Sequence, residues 1–489
     1  MDDPLVPRGS LTATGRRLPF AAVNLISDPI HGYIELTKRL SPAESGAAGL
    51  PEESVAEEDV LDSAWLQRLR RISQLQSARW VFPTAEHSRF THGLGVMHEA
   101  GLWARSLYPS LRSELAGTGS GGTIPSEGLV VETMRMAGLL HDVGHGPFAH
   151  FFDDHVLAAF QAPADARRAP GKRLSHEDLG ARIIEAELGT LLSGLRRAPG
   201  AVAERDAFAD GESIDPRWLS FLIAKPALAD PAMPSWVRWL QPLLSGVFTV
   251  DNLDYVRRDA YLTGVAVGPI DVERLRRYTF IGEAGLTLYE PGLGALEIFL
   301  TVRRFMYQQV YFHRTVRAID LDLAEVFGAS IRAMFGEGSP ADRLAAYADL
   351  DEYALLHQAA RWSRGVDVAG PADVAPQAGD GRVRPEIGRA WRAILLRQPT
   401  WRAEAEIRAE YESGDRPESQ IASLGAAEPG LVAIDLATVD ARPAAASDTD
   451  RLLALEGRDG RSMSLAAALG SIPAWWLIGR RYRRIAVRD

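Results

Sequence analysis

Apolar residues recur at the spacing of an α-helix through much of this chain, from about residue 60 to residue 360. The clearest stripe has spacings of four, four and three positions, which place its members on one helix face: Leu61, Trp65, Leu69 and Ile72. The same spacing predicts three further helices, over 131–140, 249–262 and 296–335. The chain is therefore predicted to form mainly α-helices that bury one face each.

The pattern changes after about residue 415. Residues 430–436 and 484–487 are predicted strands, with an alanine-rich helix near 464–469 between them. We predict a mostly α fold, with a helical bundle core and a smaller C-terminal α+β lobe. The predicted segments are 1–18, a flexible N-terminus with a protease-cleavage remnant (LVPRGS); 19–345, the main helical domain; 346–414, a helical extension; and 415–489, the α+β lobe.

Composition limits the chemistry. The 489 residues include no cysteine, which excludes disulfides and cysteine-based zinc sites, so any metal must be held by His, Asp or Glu. The formal net charge of -10 does not favour a nucleic-acid-binding surface. No signal peptide and no apolar span of about 18 residues is evident, so we expect a cytoplasmic protein without a membrane partner. The frequent Ala, Arg and Gly suggest a bacterial source.

The most informative segment is HDVGHGPFAH at residues 141–150. An apolar helix is predicted to end at His141 and Asp142, and a His–Asp pair offers nitrogen and oxygen ligands to one divalent metal. The remaining ligands must come from elsewhere, and His92 and Asp251 are candidates. A lone histidine such as His92 is more often a structural residue. The crowding of histidines and aspartates within residues 141–155 is what favours a metal site.

A second helix supports this reading. Asp251, Tyr255 and Asp259 lie four residues apart and so share one helix face. A ligand, a phenol and a second carboxylate in this order suit a phosphate that leads to a hydroxylated sugar. Asp254 and Arg258 form a neighbouring stripe, which is interpreted as an ordinary ion pair on a solvated face.

These motifs, in this order, resemble the HD superfamily of metal-dependent phosphohydrolases. The surrounding residues resemble its deoxynucleoside-triphosphate (dNTP) triphosphohydrolase branch, which includes the vertebrate enzyme with a sterile-alpha-motif and an HD domain, and shorter bacterial relatives. The resemblance covers about residues 25–320 and implies an HD phosphohydrolase domain over 19–345. The matching segments are DPIHGYI at 28–34, QRLR at 67–70, QL at 74–75, VFP at 81–83, RFTHGLGV at 89–96 and HDVGHGPFAH at 141–150.

The resemblance implies two sets of residues for the chemistry. The metal ligands would be His92, His141, Asp142 and Asp251. These ligands would accept Mn, Fe, Zn, Ni or Co, with Mg expected on the triphosphate. The catalytic histidine-and-acid set would be His145, His150, Asp153 and His176, where a histidine near neutral pKa gives a proton to the leaving sugar oxygen. His176 equally fits a capped helix start after Ser175.

The resemblance also implies substrate contacts. Arg89, Tyr255 and either Arg303 or Arg304 would bind phosphates. The sugar would be read by a further set, in which Leu75 would exclude a ribose 2′-hydroxyl: Gln74, Leu75, Asp259 and Tyr311. Asn252 is a departure, since the vertebrate enzyme has a phosphate-binding lysine there.

An allosteric site is a further implication. Four residues match the positions that recognise an activating guanine nucleotide (GTP or dGTP) at a subunit interface: Asp62, Gln67, Arg70 and Arg274. Ser27 and Tyr33 depart from the family pattern nearby, and a helix face with ordinary ion pairs explains the same residues. A homodimer or homotetramer is expected from the resemblance alone.

Hydrolysis of dNTPs to deoxynucleoside and tripolyphosphate is the leading functional hypothesis. The alternatives are a nucleotidase or pyrophosphohydrolase that acts on another nucleotide phosphate ester, and a non-catalytic nucleotide-sensing module. A C-terminal arginine cluster beside aromatic residues is typical of single-strand binding. A solvated strand edge explains it better, so nucleic acid is not expected as a partner. The arginines are Arg480, Arg481, Arg483 and Arg484.

Overall fold

A computed structural model describes residues 23–40, 55–117, 124–162, 171–200, 203–224, 232–369, 378–412, 415–440, 453–470 and 472–485. The predicted flexible N-terminus, residues 1–18, lies outside these ranges. The described part of the chain is mostly α-helical and has small sheets, and its C-terminal region combines helices with strands, so the predicted fold class is confirmed.

The α-helices in chain order are α1 Glu57–Leu61, α2 Ala64–Arg68, α3 Arg89–Gly117, α4 Glu127–Leu140, α5 His150–His155, α6 His176–Ala186, α7 Gly189–Gly194, α8 Ala203–Asp206, α9 Pro216–Ile223, α10 Ser235–Leu240, α11 Pro242–Ser245, α12 Val250–Thr263, α13 Val272–Arg277, α14 Leu293–Met306, α15 Arg314–Phe335, α16 Leu344–Ala348, α17 Glu352–Trp362, α18 Pro385–Leu395, α19 Glu418–Ala422 and α20 Leu465–Ala468. Short 3₁₀ turns cover Leu69–Arg71, Gln76–Trp80, Leu157–Ala159, Glu290–Gly292 and Pro340–Asp342, and a π-helix covers Tyr307–Tyr311.

The strands are β1 Val23–Asp28, β2 Gly32–Thr37, β3 Thr279–Gly282, β4 Gly285–Tyr289, β5 Trp401–Tyr411, β6 Val432–Asp440, β7 Ala454–Glu456, β8 Ser462–Met463 and β9 Trp475–Arg484. β1 and β2 form an antiparallel hairpin. The order in the second sheet is β3-β4-β7-β8, with β4 and β7 parallel. The third sheet has the order β5-β9-β6, and both of its pairings are antiparallel.

The long helix α3 organises the core. It packs along α4, and α12 and β3 also lie against it. Almost every side chain of α4 is buried, because the helix is covered on all sides. This packing fixes three helix ends relative to one another: the first turn of α3, the C-terminus of α4 and the first turn of α12. The site described below lies where these ends meet.

The stripe from residue 61 to residue 72 is buried as predicted, but it does not form one helix. α1 ends at Leu61, and Ser63 starts α2 by accepting a hydrogen bond from the backbone N–H of Leu66. A serine cap satisfies the free N–H groups of a new helix, so it favours a break where apolar spacing alone predicts continuity. The predicted helix over 296–335 is also interrupted, by the π-helix and by His313, which caps α15.

In the C-terminal region, β6 and α20 confirm the strand predicted over 430–436 and the helix predicted near 464–469. The strand predicted over 484–487 is misplaced. β9 ends at Arg484, and residues 486–489 lie outside the described ranges. The strand begins earlier, at Trp475, because its aromatic and aliphatic residues pair with both β5 and β6.

One large cluster of buried apolar residues extends from Ile34 to Leu469. It includes Trp362 and Trp391, which belong to the predicted helical extension over 346–414. The extension therefore shares its core with the helices that precede it. No helix among the described residues is long and apolar enough to cross a membrane.

Candidate active site

The four predicted metal ligands come together at the three helix ends. His92 lies in the first turn of α3, His141 caps the C-terminus of α4, and Asp251 lies in the first turn of α12. The Nε2 atom of His92 is 3.1 Å from Oδ1 of Asp251, and Nε2 of His141 is 3.7 Å from the same oxygen. Asp142 lies beside these three, between the two clusters, with its Oδ1 atom 3.3 Å from Nε2 of His141 and 3.2 Å from Nε2 of His145.

The hydrogen bonds of the two histidines aim their Nε2 atoms at the centre of this group. Nδ1 of His141 donates to the carbonyl oxygen of Gly138 at 2.8 Å, which leaves Nε2 with a lone pair. That atom is buried and makes no hydrogen bond with any described residue. A buried nitrogen without a partner is costly unless something else satisfies it. Two imidazoles and two carboxylates suit a divalent transition metal, so these residues fit one.

The electrostatics of His92 point the same way. Burial lowers its pKa, but hydrogen bonds to Asp251 and Asp254 outweigh burial and raise the pKa to about 10. Carboxylates that attract a proton so strongly will also attract a cation in its place, since metal binding displaces protons from its ligands.

Asp254 supports the site from behind. Its Oδ2 atom is 2.8 Å from Nδ1 of His92, and its Oδ1 atom is 2.6 Å from Nε2 of His31 on the β1–β2 turn. Arg258 also donates to it. The predicted Asp254–Arg258 ion pair therefore exists, but the two side chains are fully buried rather than solvated. Such support fixes the orientation of a ligating histidine and raises its basicity.

Arg89 reaches the opposite side of the group. Its Nη1 atom is 2.5 Å from Oδ2 of Asp142, and both side chains are buried. Burial raises the pKa of Asp142, but Arg89 and the neighbouring histidines outweigh it and hold that pKa well below its usual range. Asp142 is therefore a carboxylate at neutral pH.

The predicted catalytic set forms a second cluster beside the first. Ligand atoms of His145, His150, Asp153 and His176 lie within 4.8 Å of one another. Oδ2 of Asp153 is 2.5 Å from Nδ1 of His176 and 3.6 Å from Nδ1 of His150. The ring of His145 stacks on that of His176, with centroids 3.7 Å apart. Ser175 caps α6, as the structural reading of His176 expects, and the ring of His176 also joins this cluster, so its catalytic role stays a prediction.

These histidines differ in charge and exposure. Burial and the nearby Arg89 hold the pKa of His145 well below its usual value, so this ring is neutral. Burial also lowers the pKa of His176, but Glu177 and Asp153 outweigh it and raise that pKa. His150 is the exposed member, with 63% of its side chain accessible.

A cavity of about 570 Å³ joins the two clusters. Seven of the eight predicted substrate residues line it: Gln74, Leu75, Arg89, Tyr255, Asp259, Arg303 and Tyr311. Arg304 does not, because its guanidinium pairs with Glu410 on β5. The structure thus distinguishes between the two arginines that the sequence left open. Arg303 donates to the hydroxyl oxygen of Tyr255 at 3.3 Å.

Asp259 is held from two sides. Its Oδ2 atom accepts a hydrogen bond from the Tyr311 hydroxyl at 2.6 Å, and its Oδ1 atom is 2.8 Å from Nε2 of His87. Sequence reasoning gave no role to His87 or His31. Their positions could have indicated a role, since His31 lies within the resembling segment 28–34 and His87 lies between the segments 81–83 and 89–96.

Asn252 has a local role. Its side-chain oxygen accepts a hydrogen bond from the backbone N–H of Thr249 at 2.7 Å, and the Thr249 hydroxyl accepts one from the backbone N–H of Asn252. This reciprocal pair caps the start of α12. The side chain borders the cavity but points back along its own helix.

The predicted allosteric residues lie outside the cavity lining. Asp62 pairs with Arg39 at 2.7 Å. Arg70 donates to the side-chain oxygen of Gln67 at 2.8 Å, and Arg274 donates to the carbonyl oxygen of Pro291 at 2.9 Å. Each of the four residues thus has a partner within the chain, and for Asp62 that contact is a salt bridge.

The C-terminal arginine cluster lies on β9, which is the central strand of its sheet and not an edge, so the predicted strand edge is wrong. Arg480 is buried and donates to Glu406 and to the carbonyl oxygen of Phe312. The other three arginines also have partners: Arg481 the carbonyl of Leu424, Arg483 the carboxylate of Glu404, and Arg484 that of Glu325. All four arginines thus pair with carboxylates on β5 or on α15.

Comparisons with known proteins agree with this geometry. Residues 89–206 match the protein-family model described as HD domain. An uncharacterized protein of Bacillus subtilis, YwfO, is 28% identical over 62% of this chain and 54% of its own length. The deoxynucleoside triphosphate triphosphohydrolase SAMHD1 of Gallus gallus is 28% identical over 62% of this chain and 45% of its own. The chain thus spans about half the length of these relatives.

Two solved structures share the fold. A hypothetical protein from Aquifex aeolicus superimposes with a TM-score of 0.64 and 23% identity, over 94% of this chain and 96% of its own. A phosphohydrolase from Bacteroides thetaiotaomicron superimposes with a TM-score of 0.59 and 21% identity, over 95% and 100% of the two chains. The shared fold extends over nearly the whole chain, well beyond residues 89–206.

Proposed function

We propose, from the HD domain that this chain carries and its resemblance to dNTP triphosphohydrolases, that it hydrolyses dNTPs to deoxynucleoside and tripolyphosphate. The observation that carries the proposal is the cavity. Residues that could hold a metal line one wall, and the histidine–aspartate cluster lies beside them. Tyr311 and Asp259 line another wall. These three parts suit a phosphate, a leaving oxygen and a sugar.

The phosphate end would be bound by His92, His141, Asp142 and Asp251 together with a divalent cation. When bound, such a cation polarises a phosphate oxygen and lowers the pKa of a water that it carries. Arg89 and Arg303 would supply planar guanidinium donors to further phosphate oxygens.

Proton transfer to the leaving oxygen is assigned to His150. Its ring is exposed at the cavity wall, with Asp153 behind it and His176 fixing Asp153 in turn. A carboxylate behind an imidazole orients the ring toward the group that would receive its proton. His145 is neutral and stacked, so it would hold the cluster in place rather than donate the proton.

The sugar end would be formed by Gln74, Leu75, Asp259 and Tyr311. Asp259 is fixed by Tyr311 and His87 and offers carboxylate oxygens to a sugar hydroxyl. Leu75 is almost completely buried beside Gln74, and an apolar side chain there offers no partner to a ribose 2′-hydroxyl.

Mass-resolved product analysis tests the proposal. The purified protein would be incubated with each dNTP and NTP in manganese or magnesium. We expect deoxynucleoside plus intact tripolyphosphate, and loss of both turnover and bound metal in the His141→Ala/Asp142→Ala variant. The control is His357→Ala, which removes an exposed histidine on α17. Absence of turnover by the parent protein with any metal would favour a nucleotide-sensing module instead.

One observation favours a second candidate. Residue 252 is an asparagine that caps its own helix, whereas the vertebrate enzyme has a phosphate-binding lysine at this position. The alternative is a nucleotidase or pyrophosphohydrolase that acts on another nucleotide phosphate ester through the same metal site. Monophosphate products, or turnover of other esters alone, would select it.

The same proposal includes activation by GTP or dGTP and assembly into a dimer or tetramer. The activating nucleotide would be bound at a subunit interface by Asp62, Gln67, Arg70 and Arg274. The test adds GTP or dGTP to the product assay and measures molar mass by light scattering with and without nucleotide. Unchanged rates and unchanged mass would discard the activator.

A further inference from the structure

A segment that follows the HD-domain match holds the back of the catalytic loop, residues 144–150. The hydroxyl of Tyr347 donates to the carbonyl oxygen of Gly144 at 2.8 Å. The carbonyl oxygen of Leu350 accepts from Arg68 at 2.6 Å, and Arg68 also donates to the carbonyl oxygen of His145 at 2.7 Å. These contacts link the predicted helical extension to the loop that carries the catalytic cluster.

The centre of this contact is the carboxylate of Glu352, at the first turn of α17. Its Oε2 atom accepts hydrogen bonds from two backbone N–H groups, that of Phe148 at 3.2 Å and that of Ser73 at 3.3 Å. Its Oε1 atom accepts from Nη1 of Arg79 at 2.8 Å. The side chain has no solvent exposure. A buried carboxylate is costly unless it is paired and hydrogen-bonded, and all three of these contacts meet that condition.

Both backbone groups precede residues that border the cavity. Phe148 and Ala149 have left-handed backbone conformations, with φ of 59° and 47°, immediately before His150. Such conformations are strained in residues other than glycine and persist only where the surroundings hold them. Ser73 directly precedes Gln74 and Leu75 at the sugar end.

We propose that Glu352 is a positioning residue, which sets His150 on one side of the cavity and Leu75 on the other by holding two backbone N–H groups with one oxygen. It touches neither the metal site nor the space of the substrate, and it acts through the peptide backbone. The inference rests on the proposed function for its reaction, but its geometry does not depend on which phosphate ester is the substrate.

The helix does not need Glu352 in order to start. The side chain of the preceding residue, Asp351, caps α17 by accepting from the backbone N–H of Ala354 at 2.8 Å, and it also pairs with Arg71. Asp351 is thus a matched control, an adjacent acid on the same helix turn that contacts neither Phe148 nor Ser73.

Two substitutions separate the effect of the length of the Glu352 side chain from the effect of its charge. Glu352→Gln keeps the length of the side chain, so its amide oxygen can still accept from both N–H groups, while Arg79 retains Glu86 as a partner at 3.3 Å. Glu352→Asp keeps the charge but is one methylene shorter, so its oxygens withdraw from the loop. We expect kcat to fall on the order of tenfold to a hundredfold in Glu352→Asp, since small misplacements of catalytic groups have such effects.

The expected pattern is near-parental kcat in Glu352→Gln and in Asp351→Ala, with metal content unchanged in all three variants. Hydrogen–deuterium exchange of peptides that cover residues 144–152 should accelerate only in Glu352→Asp. A parental kcat and parental exchange in Glu352→Asp, or an equal loss of kcat in Glu352→Gln or Asp351→Ala, would overturn the inference.

The two proposals fail separately. If the parental protein does not hydrolyse dNTPs, the proposed function fails, and kcat is then measured on bis(p-nitrophenyl) phosphate with manganese, or the exchange measurement stands alone. Accelerated exchange in Glu352→Asp alone would still support the positioning role.

Discussion

At the scale of single residues, His176 lies in a buried place, and the carboxylates of Glu177 and Asp153 beside its ring outweigh burial and raise its pKa. We predict that Asp153→Asn lowers the pKa of His176, since one of the carboxylates that outweigh burial is gone. NMR titration of labelled histidine in the zinc-loaded protein measures this pKa directly.

The same change has a consequence for stability. A histidine with a raised pKa in the folded state stabilises the fold below its unfolded pKa of about 6.5, and this contribution is lost as the pH rises through the folded-state pKa. Asp153 has a lowered pKa in the folded state, so its own contribution is lost as the pH falls below about 3.9. The free energy of unfolding of Asp153→Asn should therefore fall short of the parental value most between about pH 4 and about pH 6.5, where both groups of the pair are charged. An unchanged pKa of His176 would contradict the assignment.

Leu75 provides a second prediction at this scale, which depends on the proposed function. Leu75→Ala should raise kcat/KM for NTPs relative to dNTPs on the order of tenfold, because the shortened side chain leaves room for a 2′-hydroxyl at the sugar end. The measurement is kcat/KM for paired substrates such as ATP and dATP. The control is Leu396→Ala, where the leucine is 53% exposed and away from the cavity lining. An unchanged ratio would remove Leu75 from the role.

The sequence predicted which site residues lie together only where they are close along the chain. His141 and Asp142 are adjacent, and the helical spacing of Asp251, Tyr255 and Asp259 placed them on one face. The support of His92 by Asp254, and of Asp254 by His31, joins positions more than 150 residues apart. Apolar periodicity carries no information on such pairs, so the buried role of Asp254 was misjudged.

At the scale of elements, the catalytic loop and α6 approach each other closely at two glycines, so substitutions there test this contact. A side chain on Gly144 would meet the carbonyl oxygen of His176 and the backbone of Gly180 well within contact distance, whereas one on Gly180 would meet its nearest neighbour at 3.7 Å. We predict that Gly144→Ala lowers both the melting temperature and kcat, because α6 must move and carries His176 with it.

The matched variant is Gly180→Ala, which introduces alanine on the other side of the same contact. It should preserve kcat and leave the melting temperature equal or higher, because alanine in a helix restricts the unfolded chain. Thermal unfolding and steady-state kinetics on both variants decide the matter. Equal effects of the two substitutions would show that the loop and α6 do not meet as described.

Elements were predicted well where a helix runs without interruption and poorly where caps or strand order decided. Helices α4 and α12 match their predicted spans closely. The break at Ser63 and the interruption at residues 307–313 follow from capping side chains and from a cavity wall, which apolar spacing does not encode. β9 was placed too late because the prediction rested on residues 484–487, whereas the strand begins at Trp475 and pairs with β5 and β6.

At the scale of the whole molecule, the predicted metal site joins helices that are distant in sequence. We predict that removing the metal with a chelator lowers the melting temperature and abolishes turnover, since a ligand that binds only the folded state stabilises it by mass action. Readdition of manganese should restore both. The His92→Ala variant should show the lower melting temperature without any response to metal, and a response equal to the parental one would place the metal elsewhere.

The molecular scale was the least accessible to sequence reasoning. The extension over 346–414 was predicted as a separate segment, yet Trp362 and Trp391 lie in the main core and Glu352 reaches the catalytic loop. A segment boundary drawn from composition does not show against which part of the core the next helix packs.

The central position of β9 has a consequence for the timing of synthesis. Its Arg480 and Tyr482 hold the carbonyl oxygens of Phe312 and Arg314, at the interruption between α14 and α15 that borders the cavity. A nascent chain has all four predicted metal ligands outside the ribosome some two hundred residues before this strand emerges. The cavity wall is therefore completed late, after the residues of the predicted metal site have all been synthesised.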